Sequence, residues 1–181
     1  MSSTLKFEPF NYYHIFNKAV NKNKLFLNNE NYRFFLDKLY FYTKDVFEIY
    51  SYCLLPNHFH LLVKIKDIES HIISEQLRRF SISYTQSFNI AFHRKGTLFE
   101  RPFQRKLITD DDYLISSIYY IHSNSEHHHI CSDFRNYKWS SYQDIINKKN
   151  KFVSLSKVLN LFNDLDYFIE FHKDKRMLNK G

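Results

Sequence analysis

SYCLLPNHFHLLVKI, residues 51–65, contains an apolar run, a Pro-Asn break and a second apolar run that carries two histidines. Pro56-Asn57 is a turn signal, so residues 47–55 and 58–65 are predicted to be the two strands of a hairpin. Side chains alternate faces along a strand, which puts Phe59, Leu61, Val63 and Ile65 on one face and His58, His60, Leu62 and Lys64 on the other. The first set is a core face. The two imidazoles of the second set project in parallel, roughly 6.5 to 7 Å apart along the strand, close enough to converge on one divalent ion. Two protein ligands would leave the rest of the shell to water and substrate, as in a catalytic site. The spacing alone fits equally with two imidazoles on a half-exposed strand face. It also allows a zinc site, although Cys53 lies on the other strand, and Cys131, near the HHH at 127–129, has no tidy ligand spacing.

Outward from the hairpin, residues 11–20 have strand-like composition. Asn28 or Asn29 can cap a helix over about 30–45, in which Tyr32, Phe35, Leu39, Tyr42 and Val46 recur at three- and four-residue spacing. Ile73, Leu77, Phe80, Tyr84, Phe88 and Ala91 mark a second long helix, with Gly96 as its stop signal. LFERPFQRKLI, residues 98–108, has β character, and Pro102 forces an edge position or a bulge. The Thr109 hydroxyl can cap a third helix running to about 124, and Asp110, Asp111 and Asp112 complement the positive end of its dipole. WSSY at 139–142 reads as a loop entering a short helix, and the remainder as a helical tail. The order β-α-β-β-α-β followed by helices predicts an α+β fold, one antiparallel sheet with helices packed on it.

The chain of 181 residues can bury a core of its own without staples, and 44% hydrophobic with 25% charged residues is the composition of a globular protein. Cys53 and Cys131 lie far apart and are expected to be free thiols in a reducing compartment. The first 25 residues hold no apolar stretch of signal-peptide length, and no run approaches the ~20 residues of a membrane span. A cytoplasmic location with no membrane partner is the expectation. The net charge of +7 makes a polyanion a plausible partner, and aromatic residues at 19% supply rings that could stack on bases, though most belong in the core.

Separated at 100° per residue, the third helix has an apolar stripe of Leu114, Ile115, Ile118 and Ile121. Tyr119 borders the stripe and His122 falls within it, so both read as packing residues. Tyr120 points away from it, on a face shared with Tyr113, Ser116, Ser117 and Asn124. Asn124 lies one turn after Tyr120, so its amide oxygen reaches the neighbourhood of the phenol and is a candidate third metal ligand.

In order and spacing, CLLPNHFHLLV, a basic helix, GTLFERPFQRKLI, Tyr-Ile-His-Ser-Asn at 120–124 and WSSY at 139–142 resemble the single-tyrosine HUH transposases, most closely their REP-associated branch. The resemblance covers about residues 10–145. It implies a ferredoxin-like α+β domain over 1–145, beyond which 146–181 form a helical extension on the same domain. It implies Tyr120 as nucleophile and His58 and His60 as ligands of Mg²⁺ or Mn²⁺, with Asn124 as the third polar ligand. In the branch the asparagine is usually followed by proline, and Ser125 stands there instead. The insertion-sequence relatives often carry Gln at the third-ligand position. Those relatives are dimers, whereas REP-associated members can be monomeric, so a homodimer and a monomer both stay open.

The implied activity is cleavage and rejoining of single-stranded, hairpin-forming DNA through a 5′-phosphotyrosine. A protonated phenol is a weak nucleophile, and a bound cation would polarise the phosphate and stabilise developing charge. Covalent storage of the bond energy removes any need for ATP, in keeping with the absence of a G-x-x-x-x-G-K phosphate loop. Nor is there the carboxylate cluster of a two-metal nuclease. Arg78, Arg79, Arg94, Lys95, Arg101, Arg105 and Lys106 are the expected grip on DNA, or else a solvated basic face. Two other functions are compatible with the same residues: a non-catalytic DNA- or RNA-binding protein of this fold, and a metal-binding regulator that would retain zinc tightly.

Overall fold

A computed structural model describes residues 5–100, 102–148 and 152–178. Around the Pro56-Asn57 turn, β2 (Phe47–Leu55) and β3 (His58–Ile65) pair antiparallel, with Leu55 opposite His58 and Cys53 opposite His60. β1 (Tyr12–Lys18) pairs with the other edge of β3, and β4 (Gln104–Ile108) completes the sheet in the order β2-β3-β1-β4. The three pairings among these four strands are antiparallel. β4 is an edge strand that starts two residues after Pro102, where the missing N–H costs no ladder bond.

Alternation gives the sheet two different faces. Phe59, Leu61, Val63 and Ile65 are buried, and Phe59 meets the Phe35 ring of α1 (Asn29–Thr43) at 5.0 Å. Phe35 in turn packs edge-on against Phe80 of α2 (Ser70–Ala91), so α1 and α2 cover this face as a layer rich in aromatic rings. A fully buried Phe contributes about 1.5–3 kcal/mol over an exposed one, which makes this layer the main anchor of the sheet. The opposite face carries the histidines and is crossed by α3 (Asp111–His127), which packs on β2 and β3.

Asn28, one of the two caps read from the sequence, caps α1 through a reciprocal box with Asn31, while the later helix ends differ from the sequence reading. α2 stops at Ala91, before Gly96, because His93 takes the left-handed conformation (φ 49°) and closes a Schellman motif, Arg94 N–H bonding Asn89 O. At the start of α3 the cap is the Asp110 carboxylate, which accepts from the Tyr113 N–H at 2.8 Å, while the Thr109 hydroxyl donates to that carboxylate. With Ser125 in place of proline, α3 runs on to His127 and ends in a second Schellman motif, with His129 at φ 56° and Ile130 N–H on Ser125 O.

Beyond α3, Trp139 O accepts from Leu54 N–H, and α4 (Ser141–Ile146) follows. Val153 bridges Ile49 of β2 before α5 (Leu155–Leu161) and α6 (Leu165–Leu178). Val158, Phe162 and Phe168 from this C-terminal part are buried in the common core, and α6 lies against α3. Cys53 and Cys131 are both free thiols. Among the described residues, no helix is long and apolar enough to cross a membrane.

Candidate active site

Cross-strand pairing brings three histidines together on the α3 face. His58 is paired with Lys18, His60 with Phe16, and His14 with Leu62 on one side and Lys106 on the other, and directly opposed residues share a face. The His58 and His60 rings stand 5.2 Å apart, nearly perpendicular. Each is held by a hydrogen bond at Nδ1: His58 to Asn57 Oδ1 at 2.7 Å, and His60 to His14 Nε2 at 2.8 Å. The Asn57 oxygen only accepts, so His58 carries its proton on Nδ1 and offers a lone pair at Nε2. Among the described residues, His60 Nε2 is buried with no hydrogen-bond partner.

All three imidazoles are held neutral. Burial pushes His60 down to about 2, assisted by the neighbouring His14, His58, His128 and Lys106. Burial likewise lowers His14 to about 4, with Lys106 adding to it, and His58 to about 4, with His128 and Lys18 adding to it. Neutral imidazole is the form that ligates a cation. The buried His60 Nε2 beside the neutral His58 ring gives a pair of imidazoles whose chemistry suits a divalent ion.

Tyr120 stands over this group. It is 45% exposed, and its ring centroid lies 6.2 Å from that of His60 and 5.9 Å from that of His14, both edge-on. His127 approaches the same phenol ring at 6.3 Å. Asn124 lies one turn later, 1% exposed, and its amide group donates to Tyr120 O at 2.7 Å. That bond directs the NH₂ end into the helix and leaves the oxygen, the end that binds hard cations, as the atom with ligand character.

The polar face assigned to α3 needs correction. Only Tyr113, Ser116, Tyr120 and His127 form an exposed stripe, while Ser117 and Asn124 are buried, because α3 is covered by the sheet on one side and by α6 on another. Tyr119 and His122 are packing residues as expected, buried against Phe134 and His172 respectively.

Three site residues carried no signal in the sequence. His14 is a single histidine in an ordinary strand, and its contact with His60 spans 46 residues. Asn57 looked like turn chemistry only. His128, whose ring lies 4.6 Å from that of His58, belongs to an HHH run without ligand spacing. His58 and His128 line a cleft of about 510 Å³ with Phe16, Lys18, Gln104 and Ile130.

The basic residues do not form one surface. Lys106 shares the histidine face. Arg105, its neighbour along an alternating strand, faces the other way, stacks on Phe7 at 4.1 Å and lines a separate groove of about 750 Å³ with Arg78. Arg78 and Arg79 are both paired with Glu75, at 2.7 and 2.9 Å. Arg94 bonds Asn89, Gly96 O and Thr97 O, closing the loop after α2. Lys95 is exposed, and Arg101 lies outside the described residues.

Scans against protein-family models and a search of curated proteins give no match. Among solved structures, a REP-associated tyrosine transposase bound to a REP hairpin superposes with a TM-score of 0.70 at 15% identity, over 82% of this chain and 87% of that one. A Deinococcus radiodurans R1 protein described as a transposase gives 0.45 at 15% identity, over 66% and 95%. A bacterial tRNA(His) guanylyltransferase-like protein in complex with GTP gives 0.47 at 8%, over 74% and 73%. The last two likenesses are too loose to carry an argument. The ferredoxin-like sheet, its strand order and the helix that crosses the histidine face are together the fold of a REP-associated tyrosine transposase.

Proposed function

We propose that this protein is a metal-dependent transposase-type endonuclease that cleaves and rejoins single-stranded, hairpin-forming DNA through a 5′-phosphotyrosine. The observation that carries the reading is the Tyr120 ring set against His60, whose buried Nε2 has no partner. A solvent-accessible phenol beside a pair of neutral imidazoles has no evident packing purpose, and the chain's likeness to a hairpin-bound transposase supplies the substrate class.

In this reading His58 and His60, through Nε2, and Asn124, through its amide oxygen, would hold Mg²⁺ or Mn²⁺, which when bound would supply charge stabilisation at the scissile phosphate. Two imidazoles and one amide suit a weakly held, exchangeable cation. Among the described residues no group of three or more His, Cys, Asp or Glu side chains could hold a metal ion. Tyr120 Oη attacks the phosphorus and the bond to the 3′-oxygen breaks. The phenolic proton is lost to solvent, and the leaving 3′-oxygen gains one. Reversal by the same or another 3′-hydroxyl rejoins the strand and regenerates the phenol. Lys106, on the histidine face, would contact the phosphate backbone, and Lys18, on the same face of β1, is ion-paired with Glu100 at 3.4 Å. The approach of Tyr120 to His60 within one chain supports a site formed in cis.

The test is strand cleavage of labelled hairpin DNA in Mn²⁺ and in EDTA. The reading expects a free 3′-hydroxyl fragment only with Mn²⁺ and little action on duplex DNA. Cleavage undiminished by EDTA, a preference for duplex, or no cleavage of any hairpin drawn from the host genome defeats it.

A further inference from the structure

His14 belongs to none of the sequence motifs, yet among the described residues it makes the one side-chain hydrogen bond at His60. It is 7% exposed, on β1, with its ring 5.0 Å from that of His60 and tilted by 34°. Two imidazole nitrogens 2.8 Å apart share a single proton, and which ring owns it fixes the chemistry of the far nitrogen of His60. If His14 were the donor, His60 would carry its proton on Nε2, a buried N–H with no acceptor and no capacity to ligate. If His60 donates from Nδ1, its Nε2 keeps a lone pair, and the buried nitrogen becomes a ligand atom that lacks only its cation.

The companion site supports the second arrangement. His58 is locked with its proton on Nδ1 by the Asn57 oxygen, an acceptor only. Both histidines then present the same tautomer, each fixed by a neighbour that accepts at Nδ1. Ligating imidazoles generally have such a partner behind them, and it fixes ring orientation as well as tautomer.

We infer that His14 is a positioning residue that accepts the Nδ1 proton of His60, thereby selecting the tautomer whose Nε2 can bind the divalent ion and holding that ring toward Tyr120. This rests on the role proposed above for His60 as a metal ligand. His14 itself is then neutral, with its proton on Nδ1, and touches no substrate.

Two measurements test it. In the metal-free full-length protein at neutral pH, ¹⁵N NMR of the imidazoles should show His60 protonated on Nδ1 and bare on Nε2; a proton on Nε2 overturns the inference whether or not any metal binds. In Mn²⁺ titrations followed by calorimetry, His14→Phe, which keeps a ring but no acceptor, should weaken binding about 10- to 100-fold. His14→Gln, whose amide oxygen can still accept, should recover most of that loss. Wild-type affinity in His14→Phe, or a Gln variant as weak as Phe, refutes the assignment. If His14→Phe does not fold, the tautomer of the wild-type protein decides alone. Wild-type protein with the expected tautomer that takes up no Mn²⁺ would locate the failure in the metal reading of His58 and His60, and not in the hydrogen bond from His14.

Discussion

Two pairs of histidines in this molecule make nearly the same contact, and their surroundings give them opposite roles. His14 and His60 meet at 2.8 Å on the sheet, and His122 and His172 at 2.9 Å between α3 and α6. The second pair sits in a closed chain. Tyr52 N–H donates to Ser141 Oγ, whose hydroxyl donates to His122 Nε2. His122 Nδ1–H donates to His172 Nε2, and His172 Nδ1–H to Phe168 O. Every nitrogen has one partner and both rings are fully buried. At the first pair the chain stops at a bare Nε2. A polar network that closes on itself holds structure, and one that ends on a buried lone pair is built to receive something.

The largest effect should come from opening the closed pair. His172→Ala removes a large buried ring and orphans the His122 Nδ1–H, a combination that costs roughly 2–5 kcal/mol. It should show as a lower urea midpoint, with Mn²⁺ affinity unchanged. His60→Ala should reverse this pattern, losing Mn²⁺ binding and DNA cleavage while costing stability less, because one of its nitrogens makes no bond.

The same comparison has a pH signature. Burial holds His122 well below the ordinary histidine value and pushes His172 down to about 3, the bond to Phe168 opposing it slightly. The unfolded chain titrates these groups near 6.5 and the folded chain does not, so below that point the unfolded state binds more protons. Stability is therefore retained above pH 6.5 and falls as pH drops toward 3, by up to about 1.4 kcal/mol per pH unit for each of the two groups. Denaturant melts at pH 7.5, 6 and 5 should show a progressive loss, and His172→Gln should make it shallower by one group's share, since burial also holds His122, His14, His58 and His60 below the ordinary value.

How much of this was legible in the sequence differs between the two pairs. The hairpin ends, the alternation that sets His58 beside His60, and the isolation of Tyr120 on α3 all follow from local periodicity and turn chemistry. The partners of those residues do not. His14 reaches His60 only through β1–β3 pairing, and His172 reaches His122 only once α6 docks. For the same reason the burial of Asn124 and Ser117 could not be read from the sequence: one apolar stripe was visible, whereas α3 is covered on more than one side. The basic residues were legible as charges but not as surfaces, since strand alternation sends Arg105 and Lys106 to opposite faces of the sheet.

That split yields a smaller prediction. Lys106→Ala, beside the open pair, should weaken single-stranded DNA binding at all sequences and reduce the salt slope by about 1. Arg105→Ala, stacked on Phe7 across the sheet, should leave cleavage near wild type. Equal effects would show that DNA does not approach the histidine face selectively.

The most direct test of the central claim is mass spectrometry of the covalent product. Incubated with hairpin DNA and Mn²⁺, denatured and digested, the wild-type protein should yield a single DNA-linked peptide with the nucleotide on Tyr120, and Tyr120→Phe should yield none while melting like wild type. A nucleotide attached to any other residue, or an adduct that persists in Tyr120→Phe, would contradict the account.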